Sequence, residues 1–122
     1  MGVNMIELRK SPRSNVLWRA AIKLGEGNIV PAKVINVSAS GLLIQCAHNV
    51  AIDKEYRLLM EVPRIDQSSS EPYQVACKIS VLHAILSGDS YRIGVKFTEI
   101  SDLHKNLVAA WLSITNKIDW LA

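Results

Sequence analysis

Two short stretches hold side chains whose types and spacing suggest recognition chemistry. In Arg9-Lys10-Ser11-Pro12-Arg13, two arginines stand four positions apart on a segment that Pro12 keeps out of a helix. A guanidinium is a planar fork of donors that fits a phosphate or a guanine edge in bidentate fashion. The second stretch is Asn36-Val37-Ser38-Ala39-Ser40-Gly41. It offers an amide, two hydroxyls and a bare backbone at Gly41. Asn and Ser supply neutral donors and acceptors, which suit a nucleobase edge. Glycine lets a ligand approach the main chain and tolerates positive φ. A cationic arm beside a neutral polar turn is equipment for holding an anionic ligand that carries a base.

Bond-making chemistry is not expected. Ser38 and Ser40 lie outside a G-x-S-x-G elbow, and no activating base stands near them in sequence. His48, His83 and His104 fall on a connection, a strand and a helix. None pairs with a second ligand at a zinc-like spacing, and Cys46-x-His48 alone is a weak signal. Acidic residues are scattered over turns and polar faces, so little of an active-site checklist is met. The chain reads as a non-enzyme without metal or cofactor.

The elements that must position these residues are mostly strands. Asn15–Leu24 alternates apolar and mixed positions with a period of two, the mark of a half-buried strand. Gly25-Glu26-Gly27-Asn28 is turn chemistry. Ile29–Val37 follows as a second strand, with Pro31 near its start, where a missing N–H does least harm. After the Asn36–Gly41 turn a third strand runs to about Cys46. Tyr56–Val62 is a fourth strand, ended by Pro63, and residues 64–72 form a polar loop. Tyr73–Ala84 is a fifth, with Val75, Cys77, Ile79 and Val81 on one face. Leu86–Ser90 is a hairpin turn before a sixth strand, Tyr91–Phe97. The period then changes. Ser101 is placed to cap a helix and Asp102 favours its positive end. Leu103, Leu107, Ala110, Trp111, Ile114, Ile118 and Leu121 supply its packing face, while Val108 and Leu112 widen the arc, which is read first as further core burial and second as a partner surface. Six strands and one helix imply an antiparallel β-barrel with a C-terminal helix over one end or side.

Composition agrees. A chain of 122 residues, 49% of them apolar, is one domain that can bury a core without staples. The net charge of +3 is unevenly placed: residues 1–33 carry six basic and two acidic side chains, the rest eight basic and nine acidic. That asymmetry argues for an anionic partner at the N-terminal end, not for a uniformly basic nucleic-acid surface. Trp18, Tyr73, Tyr91 and Phe97 fall mostly on core-facing positions, so a base-stacking sheet for DNA or RNA is not expected. Cys46 and Cys77 stand alone in strand patterns as buried packing residues, with no C-x-x-C, signal peptide or membrane-length apolar run. These point to a cytoplasmic protein with reduced thiols.

Arg9-x-x-x-Arg13 followed by Asn36-x-Ser38-x-x-Gly41 resembles the paired motifs of the PilZ domain family, bacterial receptors for cyclic di-GMP. Tyr91-Arg-Ile-Gly-Val-Lys-Phe97 is similar to that family's last barrel strand. The resemblance runs from about Leu8 to the final helix. It implies the same barrel-and-helix architecture and a stand-alone receptor or adaptor acting on an unidentified downstream protein. It also implies an arm at residues 1–14 and a body at 15–122, with the helix at about 101–120. Arg9 and Arg13 would grip the phosphates and the O6/N7 edge of guanine, and Asn36 would present its carbonyl to guanine N–H groups. The family often has Asp at this position, so Asn36 lacks a formal charge. Ser38 would add a hydroxyl and Gly41 would shape the turn, with Leu8, Lys10 and Ser40 adjoining. Leu8 supplies no extra cation, which favours one ligand per chain. The assembly is expected to be a monomer or weak dimer. The alternatives are a PilZ-like interaction module without nucleotide binding and a small-barrel nucleic-acid binder.

Overall fold

The computed structural model describes residues 13–64 and 71–121, and the side chains of residues 14–64 and 71–114. Six strands, β1 (Arg13–Gly25), β2 (Asn28–Ser38), β3 (Gly41–Cys46), β4 (Glu55–Val62), β5 (Tyr73–Ser87) and β6 (Ser90–Ile100), precede one helix, α1 (Asp102–Leu121). The strands close into an antiparallel barrel in the order β1-β2-β3-β6-β5-β4. Closure gives each strand two hydrogen-bonded neighbours, which removes the template that an open sheet offers to other chains.

Period-two patterning builds the core. Tyr56, Leu58, Met60 and Val62 point inward from β4, and Val75, Cys77, Ile79 and Val81 from β5. Ile22, Val34, Val37, Ile44 and Ile93 join them at 1% exposure or less. Each such side chain contributes roughly 1.5–3 kcal/mol by leaving water. Both cysteines are free thiols in this core.

Strand ends differ from the sequence-based expectation. β1 begins at Arg13, so the last two residues assigned to the arm already belong to the barrel. The turn after β2 is only Ala39-Ser40; Asn36, Val37 and Ser38 are strand residues with ladder partners. The β5–β6 hairpin turns on Gly88-Asp89, not from Leu86. Its ladder continues through Leu86↔Tyr91 to Ser87↔Ser90. Ile85 and Leu86 remain 61% exposed there, so burial no longer alternates and periodicity alone stops short of the strand's end. Gly88 takes φ 67° at the turn's first central position, where an L side chain would be strained.

The helix start follows the sequence. Ser101 Oγ accepts from His104 N at 3.2 Å, and the Ser101 carbonyl accepts from Lys105 N at 2.8 Å. The packing face is the Leu107, Val108, Trp111 and Leu112 part of the expected arc. Val108 and Leu112 are the buried residues, at 3% and 5% exposure, while Leu103 is 76% and Ile114 40% exposed and Ala110 faces solvent. Trp111 packs there, its ring meeting Trp18 of β1 edge-on at 5.1 Å and 89°. Among the described residues, no helix is long and apolar enough to cross a membrane.

Candidate ligand-binding site

Two bulges set the site. In the β2–β3 ladder Val34 pairs with Ile44 but Asn36 with Leu43, leaving Ile35 as the extra residue. The alternation slips there, so Val34 and Val37 both point inward and Asn36 turns out. In the β5–β6 ladder Val81 pairs with Val95 but His83 with Gly94, leaving Leu82 extra. His83 is thereby turned to the outer face while Val81 stays in the core. Together the registers draw one outward row across five strands: Asn15, Asn36, Leu43, Gly94 and His83. The next row holds Gly41 opposite Lys96.

These residues line a cleft of about 490 Å³ bounded by the Ala39-Ser40 turn. Lys96 is exposed there, and no carboxylate stands among the described lining residues. Asn36 Nδ2 donates to Asn15 Oδ1 at 3.0 Å, which leaves the Asn36 carbonyl oxygen as its accepting end. Ser38 is only 7% exposed, and its hydroxyl serves the turn. It accepts from Gly41 N at 3.2 Å, reaches the Gly41 carbonyl at 3.3 Å and lies 3.2 Å from Ser40 Oγ. Ser40, expected only as an adjoining residue, is the exposed hydroxyl of the pair.

Gly41 is required for a reason other than the expected one. It is not among the described residues with positive φ. A Cβ there would run into the Val95 carbonyl, so the missing side chain lets β3 and β6 close. A Cβ at Gly94 would meet only the His83 imidazole, a side chain that can swing aside.

Arg13 enters the site through its main chain, paired with Ser38. Its side chain, and Leu8, Arg9 and Lys10 entirely, lie outside the described residues. No group of three His, Cys, Asp or Glu residues among the described ones could hold a metal. A groove of about 500 Å³ on the β1–β4–β5 side is as large, but none of the motif residues lines it.

The family model described as PilZ domain matches residues 7–113. The chain belongs to the PilZ domain family. That match covers the arginine pair, the β2–β3 motif and most of α1. Similar solved structures share the PilZ architecture at low identity. The Bacillus subtilis inhibitor of motility, MotI/DgrA, superposes with TM-score 0.74 at 15% identity, over 91% of this chain and 52% of that one. YcgR of Escherichia coli, solved in complex with c-di-GMP, gives 0.66 at 9% identity, over 93% and 50%. The PilZ domain of YcgR with c-di-GMP gives 0.61 at 9%, over 91% and 93%. The chain spans about half the length of the first two proteins. No curated protein matches it.

In this PilZ barrel the sequence motif accounts for four of the twelve described residues that line the cleft, Asn36, Ser38, Ser40 and Gly41. Asn15, His83, Gly94 and Lys96 were missed. For Gly94 and Lys96 a signal existed, since alternation in Tyr91–Phe97 set them on the polar face. For His83 there was none, because alternation pointed it into the core.

Proposed function

We propose that this PilZ domain is a non-enzymatic receptor for cyclic di-GMP. The reading rests on the outward row that carries Asn36 into a cleft free of carboxylates among its described lining residues, with the Arg13 main chain at its edge. The c-di-GMP complexes of YcgR, on the same fold, support it. Arg9 and Arg13 take the phosphates and a guanine edge. Asn36 accepts from guanine N–H groups, and Ser40 and Lys10 add polar contacts beside the turn that Ser38 and Gly41 hold. Leu8, just ahead of the arginine pair, adds no charge. Binding draws the arm ahead of β1, residues 1–12, over the turn, which is preformed by β2 and β3, and the changed surface signals to a protein partner in the cytoplasm. The ligand shifts that equilibrium only by its differential affinity for the closed form.

Calorimetry with cyclic di-GMP, beside a single-stranded oligonucleotide control, tests the reading. One ligand per chain is expected, with no oligonucleotide binding. Arg9→Ala or Arg13→Ala should lose at least about tenfold in affinity, as an unpaired phosphate or guanine edge costs roughly 2–4 kcal/mol. Parent-like binding by either variant would remove the arm from the site. Trypsin gives the mechanism: saturating ligand should protect the site after Lys10, ahead of β1, and leave cleavage after Arg64 unchanged.

A further inference from the structure

We infer that the outer face of β1, β4 and β5, centred on β4 across the barrel from β3, docks an acidic amphipathic helix of the protein partner. The inference rests on the adaptor part of the reading above, and its test needs no cyclic di-GMP. Two neighbouring rows carry it. The first is cationic: Lys23 of β1 pairs with Arg57 of β4, and Arg57 with Lys78 of β5. Like charges directly opposite one another destabilise a sheet, and here three stand abreast. Lys78 is paired at 3.6 Å with Glu99, the one carboxylate among the described residues lining the groove on this face. Lys23 and Arg57 are exposed and have no acidic partner among the described residues. Two uncompensated cations held side by side are complementary to carboxylates of another molecule.

The second row lies two residues away along each strand and is apolar. Ala21 pairs with Leu59, and Leu59 with Ala76. Leu59 stays 44% exposed, a large side chain between two small ones. Both rows line the groove of about 500 Å³, which shares no described lining residue with the motif cleft. Spacing selects the occupant. Neighbouring strands lie about 4.8 Å apart, so Lys23, Arg57 and Lys78 span about 10 Å. A helix rises about 5.4 Å per turn, and side chains at i, i+4 and i+7 span about 10.5 Å along one face. Laid across the strands, such a helix sets one carboxylate over each. The apolar row is about 7 Å from the cationic one, within the width of a helix, so an apolar stripe beside the carboxylates covers Leu59. An extended peptide finds no free strand edge to pair with, because the barrel is closed.

The test titrates the full chain with synthetic helical peptides of about 18 residues, read by fluorescence anisotropy. One carries glutamates at i, i+4 and i+7 beside a leucine stripe, a second has lysines in their place, and a third scrambles the first. The parent should bind the acidic peptide alone, and more weakly as salt rises. Lys23→Glu combined with Arg57→Glu should lose at least about tenfold for the acidic peptide and take up the basic one. Leu59→Ala should weaken the acidic peptide about fivefold, the scale of a half-buried leucine. Thermal unfolding establishes that each variant is folded, and cyclic di-GMP affinity should match the parent's. A parent that binds no peptide, or a charge-reversed variant that keeps the acidic one, overturns the docking face and leaves the receptor reading standing. Equal binding of the scrambled peptide overturns the helix as occupant. If the acidic peptide fails while the same charge reversal abolishes sedimentation with phosphatidylglycerol vesicles, or self-association, the face belongs to a membrane surface or a second copy and the inference falls. A parent that binds the acidic peptide but no cyclic di-GMP keeps this face and overturns the receptor reading.

Discussion

Ser38 and Ser40 look equivalent in the chain and do different work in the fold. Ser38 is buried and ties Gly41 to the end of β2, whereas Ser40 presents its hydroxyl to the cleft. Asn36 sits between these roles, oriented by Asn15 and open at its carbonyl. Asn36→Asp should tighten cyclic di-GMP binding roughly fivefold, because a carboxylate accepts from guanine N–H groups about twice as strongly as an amide. The Asn15 amide can turn to donate to the new carboxylate. Calorimetry that gives weaker binding would mean that residue 36 does not face those donors. Ser14 is the opposite case. It is 4% exposed, and its Oγ has no hydrogen-bond partner among the described residues. An unsatisfied buried hydroxyl costs about 1–3 kcal/mol. Ser14→Ala should therefore raise unfolding stability by about 1 kcal/mol, read as a higher urea midpoint at unchanged slope.

At the scale of elements, close approach of strands matters more than turn conformation. The β3–β6 ladder runs unbroken from Gly41↔Lys96 to Cys46↔Tyr91. Gly41→Ala would set a methyl group against the Val95 carbonyl, a backbone atom that cannot swing aside. The strands would have to part at the cleft's floor, costing about 3 kcal/mol, with ligand affinity falling alongside. Parent-like urea unfolding of this variant would contradict the packing described. The helix carries a related lesson. Apolar residues surround much of α1, so periodicity alone leaves several faces able to dock. Trp111 packs on Trp18 at one of them, with Leu103 and Ile114 left in solvent.

For the whole molecule, the closed barrel makes a dry interior, and Cys77 reports on it. Burial pushes its thiol up to about 12, from 9.0. The folded state keeps the proton where the unfolded chain gives it up. Below pH 9 both states are protonated and the thiol adds no pH dependence. Between about pH 9 and 12 the unfolded state is favoured progressively, by about 1.4 kcal/mol per pH unit from this group. Denaturant unfolding across that range should show a stability slope that is shallower by that amount in Cys77→Ala. Equal slopes in the two proteins would mean that the thiol is already wet in the native barrel.

Local chemistry determined much of this protein. Alternation, together with turn and proline signals between apolar runs, marked all six strands, because a half-buried ladder favours period two and its ends need turn residues. Ser101 and Asp102 marked the helix start, because capping is settled within one turn. The arginine pair and the β2–β3 motif pointed to the family through residue types alone. The phase of the strands was left to tertiary structure. Alternation assigns faces only along an unbroken ladder. Whether Ile35 or Leu82 bulges depends on the partner strand and on the stagger that barrel closure demands. That closure turned Asn36 and His83 outward, made Gly41 a site of close contact, and chose the face of α1 that packs. Each is an encounter between residues distant in sequence, whose partners only the closed barrel brings together.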